Sequence, residues 1–286
     1  MSEEVIVKGY KLGSKISGSG VRMRYRGIRL DDGQESVITV IAVRSGRSLN
    51  MILKRAEQSK LLKFPGLVVV LDCGVLSGNR FYYTQKDDMA TPIKDKILEI
   101  KSPEERLFAT AKFTIELLEV LDCIHHAKAT HRDLATSHVY INCEDQVLLD
   151  GFIHDHPKFE SPSTINIVNL PYVSPEQLTG CATGRKTDIY SAGIILYELV
   201  VGAVPYMSNY SKIEDVRKGV IPSPVMNKTE VSLGMERIIM KALAPRNSRY
   251  LNVRRFIKDL EDFHASRSFL LKFKDLSRKV KRFFAM

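Results

Sequence analysis

A chain of 286 residues, 44% apolar and 27% charged, is long enough for one large domain or two lobes and lacks the composition bias of a disordered protein. Its net charge of +10 would suggest nucleic acid if spread evenly, yet more than half lies at the end, where His264 to Met286 holds seven basic residues against one acid, Asp275. No apolar run reaches the roughly 18 to 20 residues of a membrane span, and Met1 to Glu4 reads neither as a basic n-region nor as the start of an apolar signal core. Cys73, Cys123, Cys143 and Cys181 show no CxxC pairing, which predicts reduced, mostly buried thiols of a cytoplasmic protein and argues against zinc held by cysteine.

The first 85 residues are strand-rich. Runs such as Ser36 to Val43 and Leu67 to Val75 predict strands, broken by turn signals at Asp31 to Gly33 and Ser77 to Asn79. Between them, apolar residues at Leu49, Ile52, Leu53, Leu61 and Leu62 predict one helix. From Ser102 the period becomes helical: serine, then Pro103 at the first helical position, then Glu104 and Glu105 form a start signal for a helix running to about Ala127. Further helices are predicted over Thr187 to Gly202, Leu233 to Ala244 and Leu251 to Phe263. The layout is α+β, a small β-rich lobe followed by a larger α-helical one, without repeats.

Four blocks in order, "HRDL" (His131 to Leu134), "PYVSPEQ" (Pro171 to Gln177), "TDIYSAGIILYELVVGAVPY" (Thr187 to Tyr206) and "ALAPRNSRY" (Ala242 to Tyr250), resemble the eukaryotic-like Ser/Thr protein kinases of bacteria. The resemblance covers residues 9–264 and implies a bilobal kinase fold, with the N-lobe over about 9–86 and the C-lobe over about 87–264. It also implies that Glu176 pairs with Arg249, that Asp188 accepts hydrogen bonds from the catalytic-loop backbone, that His131 is structural, and that Phe152 is a core residue.

Phosphoryl transfer depends on positioning and charge neutralisation, so the family's machinery is a glycine-rich cover, a strand lysine with a helix glutamate, metal ligands and a base. Registering the cover on Tyr25 to Gly27 places Ser17, Ser19 and Arg22 where the three glycines belong; a frame on Gly18 and Gly20 loses the third to Met23. The expected form is a hairpin that cradles phosphate poorly. The strand lysine falls on Thr39, and the helix glutamate on Arg55, a residue of the wrong sign to restore the pair. Asp133 holds the base position, Ala135 replaces the phosphate-neutralising lysine, and His138 replaces the metal-binding asparagine. The metal aspartate falls on Gly151, with Asp150 one residue early on a strand whose neighbours face opposite ways. Adenine would be sandwiched by Arg24, Val37 and Tyr140, all larger than the family residues, so the slot is expected to be filled. Thr84 would stand at the gate behind it, with Gln85 to Asp87 as the hinge.

The resemblance therefore implies a degenerate member, a pseudokinase that works as a scaffold or allosteric partner of an active kinase or its substrate, with no cofactor expected. Two alternatives stay open: a divergent active kinase with ATP and Mg2+, Asp133 as base and Asp150 as metal ligand, and an adaptor at an anionic membrane. The last comes from residues 265–286, where Phe269, Phe273, Leu276, Val280, Phe283 and Phe284 recur at helical spacing among lysines and arginines. Such a segment would be peripheral at a membrane or docked on a protein, and nucleic acid is not expected because no base-reading motif accompanies it. His138 and Asp150 with His154 or His156 would make an imidazole-rich metal set, against the plainer reading of structural and exposed histidines. Ser161, Ser163 and Thr164 mark an activation segment.

Overall fold

The computed structural model describes residues 6–19, 22–43, 46–77, 79–88, 90–152, 167–181, 183–205, 221–224 and 231–266. His154, His156, Ser161, Ser163, Thr164, Gly20 and the aromatic residues of the basic tail lie outside them.

The N-lobe is a five-stranded antiparallel sheet in the order β1-β2-β3-β5-β4, with β1 Tyr10–Ser19, β2 Arg22–Arg29, β3 Glu35–Ala42, β4 Asp72–Leu76 and β5 Arg80–Lys86. Strand β3 is central, and the β-branched run from Val37 to Val40, apolar but for Thr39, is buried on both sides. On one side Val43, Val70, Phe81 and Tyr83 pack with Leu49, Ile52, Leu53 and Ala56 of helix α1 (Gly46–Leu61). The other side carries Val7, Tyr10, Ile38 and Val40. The lobe's strand prediction needs one correction: only the end of the Leu67 to Val75 run is a strand. Leu67 to Leu71 instead threads between the lobes, where Val68 donates to Leu149 O (3.0 Å) and Leu71 to Thr84 O (2.8 Å).

The C-lobe core is built on α5 (Arg185–Val201), in which every residue from Thr187 to Val200 is buried. Its long apolar sequence makes it a central helix rather than an amphipathic surface one. Around it lie α3 (Pro103–His126), α6 (Leu233–Leu243) and α7 (253–266). Ser102 caps α3 by accepting from Glu105 N (3.3 Å) with Pro103 next to it, a contact of about 1 kcal/mol. A seven-residue helix that sequence reasoning missed, α2 (Ile93–Glu99), follows the two-residue strand β6 (Thr91–Pro92) and buries only Ile93 and Ile97. Strands β7 (Val139–Ile141) and β8 (Val147–Leu149) complete a three-stranded sheet with β6 and flank the cleft. The short helix α4 (Pro175–Leu178) carries Glu176.

The four cysteines are free, but the expectation that they are mostly buried is wrong. Cys143 and Cys181 are exposed and the other two only partly covered, because Cys143 lies in the turn joining β7 to β8 and Cys181 just after α4. Among the described residues no helix is long and apolar enough to cross a membrane.

Candidate functional site: an interlobe cleft filled by arginines

The cleft between the lobes is roofed by β1 and β2. Ser19 pairs with Arg22, Gly18 with Met23 and Ser17 with Arg24, so that beyond a register shift between Lys15 and Ser17 the strands are paired up to the turn. Gly18 has φ +97°, and a Cβ there would lie 2.1 Å from Arg22 O. Its glycine character is thus consumed by the hairpin itself, which needs the close backbone approach. Ser17 and Ser19 belong to the paired strand rather than to an open loop.

Strand alternation then sends Arg22 and Arg24 down into the cleft. Directly opposite residues share a face of the sheet, and the register runs Arg24–Thr39–Tyr83 and Arg26–Val37–Gln85. Thr39, at the strand-lysine position, is fully buried on this face. Thr84 is not at the gate: its hydroxyl lies 2.9 Å from Tyr10 Oη on the opposite face, and Tyr83 and Gln85 look into the cleft instead. The side chain moves with the strand's period of two, so an assignment one residue out changes face.

Arg22 occupies the centre. Its Nη1 donates to His138 Nε2 (2.8 Å), and its Nη2 donates to Tyr83 Oη (3.1 Å) and to Asp150 Oδ2 (3.2 Å). Asp150 is 2% exposed and accepts a further bond from Gln85 Nε2 (2.7 Å). The early aspartate therefore does face the cleft, contrary to the expectation from alternation, because β8 ends at Leu149 and Asp150 is free to turn. Burial works against its charge, and Arg22, then Arg24, overcome this and hold its carboxyl well below the usual carboxylate range. Burial pushes the Tyr83 phenol up to about 12, so it enters the network neutral.

His138 is 1% exposed, with Nδ1 2.6 Å from Asp133 O. A carbonyl only accepts, so Nδ1 carries the proton and Nε2 accepts from Arg22; the ring is neutral. Asp133 is buried, its Oδ2 3.9 Å from His138 Nε2. Gly151 has φ +83°, and a Cβ there would meet three atoms of the His138 ring at 2.8–3.0 Å. An aspartate in the family register is thus excluded by the histidine that replaced the asparagine.

The position that the resemblance gives to adenine holds a second arginine. The Arg24 guanidinium carbon lies 4.9 Å from the centre of the Tyr140 ring, and its Nη1 donates to Tyr140 Oη, which donates to Ser137 O (2.9 Å). Val37 is buried beside them on the same sheet face.

Arg55 is the third. It stacks on Phe152, with 4.7 Å from guanidinium carbon to ring centre. It donates through Nε to Phe152 O and through Nη2 to Thr130 O (2.6 Å) and His131 O (2.7 Å). Nothing in the spacing announced these carbonyl acceptors. Glu57, the nearest acid on α1, is exposed and bonded to Lys60 (3.1 Å) and Cys73 (3.4 Å).

The scaffold pairs implied by resemblance are brought together. Arg249 and Glu176 form a bidentate bond at 2.7 and 3.1 Å, with side chains 1% and 6% exposed. Asp188 accepts from His131 N (2.9 Å), Arg132 N (2.8 Å) and the His125 ring (2.8 Å). His131 itself donates from Nε2 to Asp150 O (2.9 Å) and contacts the Phe152 ring edge-on; burial lowers its pKa.

Residues 18–260 match the family described as protein kinase domain. The chain belongs to that family. This kinase-family protein is 30% identical over 219 residues to a probable serine/threonine-protein kinase of Clostridium perfringens, an alignment covering 73% of this chain and 31% of that one. It is 26% identical over 228 residues to the serine/threonine-protein kinase PknB of Mycobacterium tuberculosis, covering 74% and 35%. It is also 25% identical over 225 residues to the STE20-related kinase adapter protein strd-1 of Caenorhabditis elegans, covering 75% and 57%. The chain spans about a third of the length of these bacterial relatives, and they group it with the eukaryotic-like Ser/Thr kinases.

A magnesium nucleotide, which the family implies, does not fit the residues present. Thr39 offers no charge to the phosphates, and Arg22 puts a cation between Asp150 and His138, where a metal ion would need that space. Among the described residues no three His, Cys, Asp or Glu side chains are grouped to hold a metal.

Proposed function

We propose that this kinase-family protein is a pseudokinase that works by binding, as a scaffold or allosteric regulator in Ser/Thr phosphorylation signalling. The observation that carries this is Arg22, whose guanidinium sits on Asp150 and His138 and supplies from within the chain the positive charge that a metal would bring. Thr39, Ala135 and Gly151 support the same conclusion, since preorganised charges in a phosphotransfer site are each worth about 10² to 10³ in rate. A relative whose name calls it a kinase adapter protein is consistent with a binding role. The partner would be a protein, either an active kinase or its substrate.

Thermal melting with and without ATP and Mg2+ tests this. A specific ligand at 100 times its dissociation constant adds about 2.7 kcal/mol. No change at millimolar nucleotide is expected. A clear rise that Asp150→Ala abolishes would overturn the proposal in favour of a divergent kinase, for which the buried Asp133 at the base position speaks. Attachment of the basic tail to an anionic membrane remains a further proposal, checked by pelleting with anionic liposomes before and after deletion of residues 267–286.

A further inference from the structure

Arg55 and Asp188 lie on different lobes and grip the same two peptide groups. The carbonyl of Thr130 and the N–H of His131 belong to one peptide unit, and the carbonyl of His131 and the N–H of Arg132 to the next. Arg55 donates to both carbonyls, at 2.6 and 2.7 Å, and Asp188 accepts from both N–H groups, at 2.9 and 2.8 Å. A cation at the carbonyl end and a carboxylate at the amide end both deepen the dipole of each peptide, and hydrogen bonds polarised in series strengthen one another. We propose that Arg55, the two peptide groups and Asp188 form a bridged ion pair, a strut that fixes helix α1 of the N-lobe against α5 of the C-lobe without nucleotide.

The sign of residue 55 follows from this. A glutamate there would face two carbonyl oxygens with no lysine at Thr39 to balance it; an arginine faces the same oxygens favourably and covers the Phe152 ring at 4.7 Å. Asp188 is fully buried, and its carboxyl, despite burial, is held low by His125 and by the loop amides. Both ends therefore stay charged. The strut deepens the binding-protein role proposed above and rests on it for its purpose: a surface spanning both lobes keeps one shape whether or not a ligand is present.

Hydrogen exchange of the full chain, with and without millimolar ATP and Mg2+, tests the strut. In the unaltered protein the α1 amides should exchange at the same rate in both conditions. Arg55→Ala should speed exchange of α1 and of residues 131–133 at least tenfold, Arg55→Lys should fall between, and Lys54→Ala on the exposed side should leave rates unchanged. Exchange in Arg55→Ala within twofold of the unaltered protein would overturn the strut. If Arg55→Ala does not fold, Arg55→Lys decides: unchanged α1 exchange overturns the strut, and several-fold faster exchange supports it. A nucleotide-induced rise in melting temperature together with loosened α1 in Arg55→Ala would instead sink the binding-protein role and leave the strut standing.

Discussion

The Arg22 guanidinium bridges Asp150 Oδ2 at 3.2 Å and His138 Nε2 at 2.8 Å, joining the N-lobe hairpin to the C-lobe at the metal-asparagine position and at the aspartate one residue before the metal-aspartate position. Removing it strands a buried carboxylate. Breaking a buried pair costs about 3 to 5 kcal/mol, reduced here because the Arg22 side chain is 22% exposed. Arg22→Ala should therefore destabilise by about 2 to 3 kcal/mol in urea unfolding, and Asp150→Asn by less, since the arginine left behind can turn to solvent.

Stability should fall in two stages as the pH drops. The pKa of buried His131 is lowered by burial, so its neutral form favours the fold above the ordinary 6.5, and this contribution is lost as the pH falls below that value. Asp150, Glu176 and Asp188 have depressed carboxyls. Their contribution is complete above the usual carboxylate range of about 4 and is lost progressively as the pH falls from there toward the depressed values of the folded state. Melting temperature followed from pH 7 to pH 3 should show the first decline and the start of the second, and Arg22→Ala should flatten the second.

Restoring the family's aspartate should not restore its chemistry. Gly151→Asp places a Cβ against the His138 ring at 2.8–3.0 Å and forces a side chain onto φ +83°. A loss of about 2 to 4 kcal/mol is expected from overpacking and backbone strain together, with no gain of ATP-dependent stabilisation. The double change Gly151→Asp with His138→Asn should recover part of that loss, which would identify the histidine ring as the obstacle.

Gly18→Ala should damage the hairpin rather than any ligand site. Its Cβ would meet Arg22 O at 2.1 Å, so the strands must part and Arg22 must withdraw from Asp150. We expect about 2 kcal/mol or more of destabilisation, non-additive with Arg22→Ala because the two changes act on the same contact.

The Glu176–Arg249 pair offers a control away from the cleft. Both side chains are almost completely buried, so Arg249→Met should cost about 3 to 5 kcal/mol and leave nucleotide behaviour unchanged.

By itself the sequence determined the order of the main elements, from local period, and its ordered blocks carried the resemblance to the family, which in turn implied the pairs Glu176–Arg249 and Asp188 with the loop amides. The same resemblance marked Thr39, Ala135, His138 and Gly151 as positions without the family's charged or metal-binding residues. What fills them was decided only by tertiary structure. Arg22 and Arg24 alternate along "RMRYRG", a period-two signal, but that they point into the cleft depends on the register with Thr39 and Tyr83. Arg55 had no visible partner because its acceptors are backbone carbonyls about 75 residues away, and every residue type carries a carbonyl. Thr84 departs from its expected place because an assignment one residue out along β5 changes the face of the sheet, and Asp150 because β8 ends at Leu149. Charges missing from a site can be read in sequence; charges brought to it across the cleft need the fold.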